Sequence, residues 1–342
     1  MADIQNTVHK VAPAKPKNVR SHLLIAQLIV LLAVLPYLAN LFGQPALVSL
    51  ATRIIILAIA AASLNLIMGY AGLASFGHAA WYGLGGYVVG ILYRHSVTGD
   101  PLFGLPIGSD QMLITVPAAI LIAGLFAAIF GSLSLRTSGV QFIMITLAFA
   151  QMIFFFFVAL KAYGGDDGLI IRRRNALPGL DTRDAMVWYW ICLGVAILWY
   201  ALLSRIVASR FGRILVGVRQ SERRMAAMGV RTYPYKLVAF VIAGMGGGLA
   251  GALMANHMRF VSPDMLHWTQ SGEFMFMVIL GGAGTLLGPA FGAAVLIGLE
   301  TVLAAWTEHW QVILGPILVL AILFTRGGLS GLVRLVRGGR DD

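Results

Sequence analysis

The sequence predicts an all-α fold: a polytopic transmembrane helix bundle of about 8–10 spans, short or broken helices included. Three observations predict it. Of 342 residues, 59% are hydrophobic and 11% charged, with a mean hydropathy of +0.84, whereas a soluble domain carries about 25% charged residues. Apolar runs of helical length recur along the chain, and a bilayer crossing needs about 20 such residues. Between two of these runs lies 69–87, GYAGLASFGHAAWYGLGGY, in which six of nineteen residues are glycine. A continuous lipid-facing helix disfavours this composition, because each interior glycine costs about 1 kcal/mol relative to alanine. Non-helical backbone at membrane depth is tolerated where protein buries it or where it lines a wet cavity. The segment from Gly69 to His78 is therefore predicted to be a broken helix at the centre of a transport pathway.

Taken in order, residues 1–22 form a polar tail with Lys10, Lys15, Lys17 and Arg20. The run Leu23 to Phe42 exceeds the apolar region of a cleaved signal peptide, about 7–15 residues, and reads as an uncleaved first helix. Candidate spans are 23–43, 47–68, 78–93, 111–134, 139–160, 187–204, 237–256, 272–284, 289–304 and 311–325. The run 272–284 is too short to cross alone, and 78–93 and 289–304 are marginal. A transmembrane domain over 23–325 is expected, with a polar insertion at 205–236 and a basic tail at 326–342. The only cysteine, Cys192, sits in an apolar run, which excludes an internal disulfide and a cysteine metal cluster.

The net charge of +11 is assigned to loops that anchor the chain, not to a nucleic-acid partner. Residues 205–236 hold eight basic side chains opposed by Glu222 alone, so the positive-inside rule places this segment in the cytoplasm. Six spans precede it and four follow, which puts both termini inside. The segment 161–186 falls outside although it carries Lys161, Arg172, Arg173, Arg174 and Arg183. Within it, Gly164-Gly165-Asp166-Asp167-Gly168-Leu169 reads as a loop ordered by its turn residues or as a docking surface. Two aspartates do not make a calcium site.

A weak internal repeat links Gly69-Tyr-Ala-Gly72 with Gly281-Gly-Ala-Gly284; each is followed shortly by another glycine, Gly77 and Gly288. Glycine-interrupted segments at matching places in two halves point to a transporter's central site. No Walker A, HExxH, CxxC or GxSxG element occurs, and the histidines are not spaced to bind a metal. No catalytic residue, metal or cofactor is expected. The polar residues within spans are the remaining candidates. Asn65 either faces the pathway or hydrogen-bonds across helices. His78, beside Ser75, either serves the pathway or caps a helix start. Thr146 and Gln151 read as packing groups. Glu300 either pairs with an arginine or faces the bundle interior. The stretch GVRQSERRMAAMGV from Gly217 suits a short helix on the cytoplasmic face, lipid-facing or docking.

Three motifs together resemble a known family: SLNLIMGYAGLASFGHAAWYGLGGY from Ser63, GVRQSERRMAAMGVRTYPYKLVAFVIAG from Gly217, and FMVILGGAGTLLGPAFGA from Phe276. In order and spacing they resemble the branched-chain amino acid ABC-transporter permeases, over about residues 50 to 325. The resemblance implies two ABC ATPase subunits, a second homologous permease and an extracytoplasmic substrate-binding protein as partners, in a bacterial inner membrane. It assigns Glu222, Ala226, Ala227 and Gly229 to ATPase docking, and Gly69, Gly72, Ser75, Gly77 and His78 to the family's broken segment. With Asn65, Gly281 and Gly284 these form the expected pathway set. The same architecture also serves urea, amides and aromatic acids, so the ligand stays open. The competing readings are an ion-coupled secondary transporter, which wants intramembrane acids beyond Glu300, and an integral-membrane enzyme.

Overall fold

A computed structural model describes residues 32–37, 39, 41, 43–101, 108–307 and 309–324. The chain divides into two units, Met1–Val48 and Ser49–Asp342. In the first, residues 32–37 are helical. Most of the predicted span 23–43, and both predicted tails, lie outside the described residues.

The described helices are α1 (Pro45–Asn65), α2 (His78–Thr98), α3 (Met112–Ser134), α4 (Val140–Ala159), α5 (Ala185–Ala208), α6 (Arg210–Gln220), α7 (Glu222–Ala227), α8 (Thr232–Met258), α9 (Trp268–Gly281), α10 (Gly288–Ala304) and α11 (Trp310–Phe324). The chain is a polytopic helical bundle, as its composition predicts. Among the described residues, five segments are long and apolar enough to cross a bilayer: α3, α4, α5, α8, and α1 together with the turn that extends it to Tyr70. The predicted run 78–93 proves longer. It continues to Thr98, where Gly99 takes a left-handed conformation and its N–H caps the His95 carbonyl.

Helix α8 is the hub of the second unit. It packs closely on α2, backbone against backbone, and on α3, where its glycines meet alanine side chains. A methyl group on Gly85 would strike the backbone of Gly248, and one on Gly251 would strike the Tyr82 carbonyl. Gly244 and Gly248, spaced one helical turn apart, meet Ala127 and Ala123 of α3. Without a hydrophobic drive between helices in lipid, this close approach supplies the van der Waals contact that holds them. Helix α5 is tied in by the Trp199 indole N–H, which donates to Ser63 Oγ at 3.0 Å. The outward faces of α3, α4 and α5 carry Leu121, Leu125, Phe155, Phe156 and Leu198, all exposed, as helices bordered by acyl chains require.

The α4–α5 connection is more ordered than a loop. Leu169–Ile170 (β1) pairs antiparallel with Phe260–Val261 (β2), and Gly164, Gly165 and Gly168 supply the left-handed turns between α4 and β1. Asp166 and Asp167 are exposed. A buried polar knot then pins the connection to the bundle. Asn175 donates its backbone N–H to Asn256 Oδ1 at 2.8 Å and its side-chain amide to Thr115 Oγ1 at 2.5 Å. The Asn256 amide also donates to the Ala252 carbonyl at 3.0 Å. Asn256→Ala leaves the buried Asn175 N–H without its acceptor, a cost of about 1–3 kcal/mol. The expected result is a lower thermal unfolding midpoint of the purified protein in detergent, with helix content unchanged below the transition.

Candidate functional site

Two broken hairpins meet in the second unit. In the first, α1 passes into a π-helical turn, Leu66–Tyr70. The chain then leaves helical geometry until α2 begins at His78. The Leu73 N–H reaches back to the Ile67 carbonyl at 2.9 Å, and Gly72 has φ +75°. In the second, α9 ends at Gly281 and α10 begins at Gly288. There the Gly282 N–H donates to the Val278 carbonyl at 3.0 Å, and Gly284 has φ +83°. The final glycines of the two repeat elements thus both take a left-handed conformation, which side chains other than glycine disfavour by about 1–2 kcal/mol.

Asn65 joins the turns. Its side-chain amide donates to the Thr285 carbonyl at 2.8 Å, and its Oδ1 accepts the Gly284 N–H at 2.9 Å. A carboxamide suits this place because it offers both a donor and an acceptor to two adjacent backbone groups. Both hydrogen bonds run from the end of one helix to the turn between two others. Gly69 packs directly beneath it: a Cβ there would overlap Asn65 Oδ1 and the Gly284 nitrogen. Arg219, in the last turn of α6, completes the junction. Its guanidinium donates to the Gly69 carbonyl and lies 2.8 Å from where a Gly284 Cβ would sit. Its aliphatic stem covers Gly72.

The remaining pathway candidates are placed differently. Ser75 and His78 are fully buried. The His78 ring meets Phe274 edge-on, with centroids 6.0 Å apart, and rests against Gly247. The Gly77 N–H donates to Ser75 Oγ at 3.2 Å, and Gly77 faces Thr146. Gly281 packs on the Gly288 carbonyl and so closes the α9–α10 hairpin. The structure therefore brings Asn65, Gly69, Gly72 and Gly284 together, and places Ser75, Gly77 and His78 in the packing at the start of α2. Ser271 of α9 organises that start: its hydroxyl donates to the Phe76 carbonyl at 2.7 Å and accepts the Ala79 N–H at 2.8 Å. Thr146 bonds within its own helix, to the Ile143 carbonyl at 2.9 Å, and Gln151 is half-buried. Glu300 forms an ion pair with Arg53 at 3.2 Å.

From the junction, α6 leads to a surface helix. Ser209 caps α6, and Gly212, Leu215 and Val218 form its buried stripe. Ser221 then caps α7, its hydroxyl accepting the Arg224 N–H at 3.3 Å. The far end of α7 closes in a Schellman arrangement. Gly229 has φ +81°, the Gly229 N–H donates to Ala226 O at 2.9 Å, and the Val230 N–H donates to Met225 O at 3.1 Å. Ala226, Ala227, Met228 and Gly229 are exposed.

Glu222 faces the other way. Its carboxylate accepts Lys236 Nζ at 2.7 Å and Thr232 Oγ1 at 2.6 Å, fastening α7 to the start of α8. Partial burial pushes its pKa up, but the hydrogen bonds and the lysine charge outweigh that and hold it below the ordinary carboxylate value. A carboxylate depressed in the folded state stabilises it above the ordinary range, and that stabilisation is lost as pH falls through the depressed value. Hydrogen exchange of the α7 amides, corrected for intrinsic rates, should therefore be flat near neutrality and accelerate in acid. Glu222→Gln should exchange faster at neutral pH and lose the acid-dependent rise.

Arg219, Thr285 and Ser271 were not evident from the sequence. Arg219 was one of eight basic residues read together as a topology marker, and its place within the motif from Gly217, one turn before Glu222, was its distinguishing sign.

This arrangement of spans is that of a multi-pass membrane protein. Over residues 46–323 the chain matches the family described as "Branched-chain amino acid transport system / permease component", and it belongs to that family. It is similar to the high-affinity branched-chain amino acid transport system permease protein LivM of Escherichia coli (strain K12). The two are 24% identical over 93% of this chain and 76% of that protein. A probable branched-chain amino acid transport permease protein LivM of Methanocaldococcus jannaschii is 25% identical, over 74% of this chain and 80% of its own length. The autoinducer 2 import system permease protein LsrC of Shigella flexneri is 26% identical, over 68% of this chain and 70% of its own length. No solved structure matches the chain.

Proposed function

We propose that the chain is the permease subunit of an ATP-driven importer in the bacterial cytoplasmic membrane. Its substrate is a branched-chain amino acid or a related small polar or carboxylate solute, moved by alternating access. One observation carries the reading most directly: the junction of the two broken hairpins is joined through α6 to a capped surface helix whose C-terminal end presents the small residues Ala226, Ala227 and Gly229 outward. Such a helix offers a docking knob of low relief, and its other end is fastened by Glu222 to a central span. In this reading α7 and both termini are cytoplasmic. Residues 1–22 and 326–342 are cytoplasmic tails, and 23–325 is the permease domain.

Of the two ATPase subunits, one docks at α7, at Ala226, Ala227 and Gly229, with Glu222 holding the helix in register. A second homologous permease completes the pathway, and a binding protein delivers solute from outside. Hydrolysis takes place on the partners. The chain itself bonds, positions and opens. When the ATPases close, they move α7 and α6. The junction at Asn65, Gly69, Gly72 and Gly284 is then the gate that separates, and it re-forms on reset. The ion pair of Glu300 with Arg53 gives that acid a counter-charge within the chain, which weighs against an ion-coupled carrier.

The test is uptake of radiolabelled leucine into proteoliposomes that hold the co-purified assembly and its binding protein. Uptake is expected with ATP on the ATPase side and not with a sodium or proton gradient alone. Gradient-driven uptake without ATP would contradict the reading.

A further inference from the structure

We propose that Arg219 is the latch of this gate, a side chain through which movement of the docking helix reaches both broken hairpins. The inference rests on the importer reading and adds to it a named residue and its mechanism.

The chemistry starts at the helix end. The last four carbonyls of a helix have no intrahelical donor, and the C-terminal end of a helix dipole attracts a cation. Gly69 lies in the closing turn of its helix, and its carbonyl takes its hydrogen bond from the Arg219 guanidinium. The same guanidinium lies against Gly284 of the second hairpin, and the Arg219 stem packs on Gly72 of the first. One side chain thus touches both members of the repeat at the two positions where glycine is left-handed. An arginine can do this and a lysine cannot fully replace it, because the planar fork offers several donors in fixed directions while an ammonium is a point charge on a flexible stem.

The mechanical link is short. Arg219 stands two residues before Ser221, the cap of α7. Helices α6 and α7 are packed at Gly217, where a Cβ would come within 2.7 Å of Met225 Sδ. Displacing α7 therefore displaces the end of α6 that carries Arg219. The hydrogen bond to Gly69 and the contact with Gly284 are lost together, which leaves the turns the Asn65 hydrogen bonds and the packing of Gly69 on Gly284. Without the guanidinium the gate loosens in the absence of any signal from the ATPases.

The test uses Ala283, which is exposed at the tip of the second turn, while the native Cys192 is buried. In the full chain carrying Ala283→Cys, modification by a membrane-impermeant maleimide from the α7 side of inverted vesicles is followed with time. Adding Arg219→Gln is expected to raise the rate several-fold, and Arg219→Lys to give an intermediate rate. In the co-purified assembly, Arg219→Gln is also expected to raise ATP hydrolysis in the absence of binding protein and to lower the solute moved per ATP, with the thermal midpoint unchanged. A role confined to folding would instead lower the midpoint and depress hydrolysis and uptake together, which would overturn the proposal. Equal labelling of Arg219→Gln and the native residue would overturn it too. If Arg219→Gln fails to insert, Arg219→Lys decides alone: a native labelling rate refutes the latch and a raised one supports it. Because labelling needs no ATPase, a chain that co-purifies with none refutes the importer while leaving the latch readable.

Discussion

Gly69→Ala is expected to reduce uptake by about tenfold or more while the protein still inserts. The added methyl falls on Asn65 Oδ1 and the Gly284 nitrogen, so the hairpins must separate or Asn65 must rotate out. Separation forfeits two hydrogen bonds, each worth about 0.5–1.5 kcal/mol net. Overpacking a fitted contact costs about 1–3 kcal/mol in its own right. Since about 1.4 kcal/mol changes a two-state ratio tenfold, either route shifts the gate population by an order of magnitude. The measurement is initial uptake rate divided by the amount of inserted protein, taken from a fluorescent tag. Gly298→Ala is the matched control, because a Cβ at Gly298 meets nothing within 4 Å and uptake should be unchanged. Native uptake by Gly69→Ala would remove the junction from the mechanism.

Ala227→Arg is expected to abolish ATP-driven uptake by a different route. Ala227 is exposed on α7, so a large side chain there disturbs no internal contact, and a surface substitution of this kind changes stability by about 0.5 kcal/mol or less. In a docking groove the same side chain is a steric block and an added charge. The expected pattern is an unchanged thermal midpoint of the isolated chain, loss of ATPase subunits on co-purification, and loss of uptake. Ala227→Ser should retain all three properties. If Ala227→Arg co-purifies with the ATPases and transports normally, α7 is not the docking helix.

The architecture was legible in the sequence wherever one physical rule dominated. Helices α3, α4, α5 and α8 are runs long and apolar enough to need no tertiary information, and their ends fall within a few residues of the predicted runs. The break after Tyr70 was legible because Gly69, Gly72 and Gly77 cluster between two apolar runs, whereas Gly83, Gly85 and Gly86 of the same stretch lie within α2. The repeat of Gly69–Gly72 in Gly281–Gly284 was legible as a pattern, but not that the two copies touch. Contact depends on Asn65 reaching across 219 positions to the Gly284 N–H, a separation that no local rule spans.

His78 and Ser75 show how far distant residues decide a local environment. A polar residue at a helix break is a reasonable pathway candidate, yet both are enclosed, because Ser271 from a distant helix caps the break and Phe274 covers the imidazole. Glu222 and Gly229 were legible as parts of one motif, while their separate duties were not. One fastens the helix to α8 and the other terminates it, and each duty depends on a partner or a dihedral angle absent from the motif itself. Arg219 was hidden by its abundance, one arginine among many in a segment where positive charge alone had an adequate explanation.

The most direct test of the central claim is a pull-down of the tagged chain from membranes in mild detergent, with the co-purifying subunits identified by mass. The account predicts recovery of Walker-A-bearing ATPase subunits and a second, homologous permease, and their loss in Ala227→Arg. Recovery of the chain alone, still carrying solute in liposomes without ATP, would contradict it.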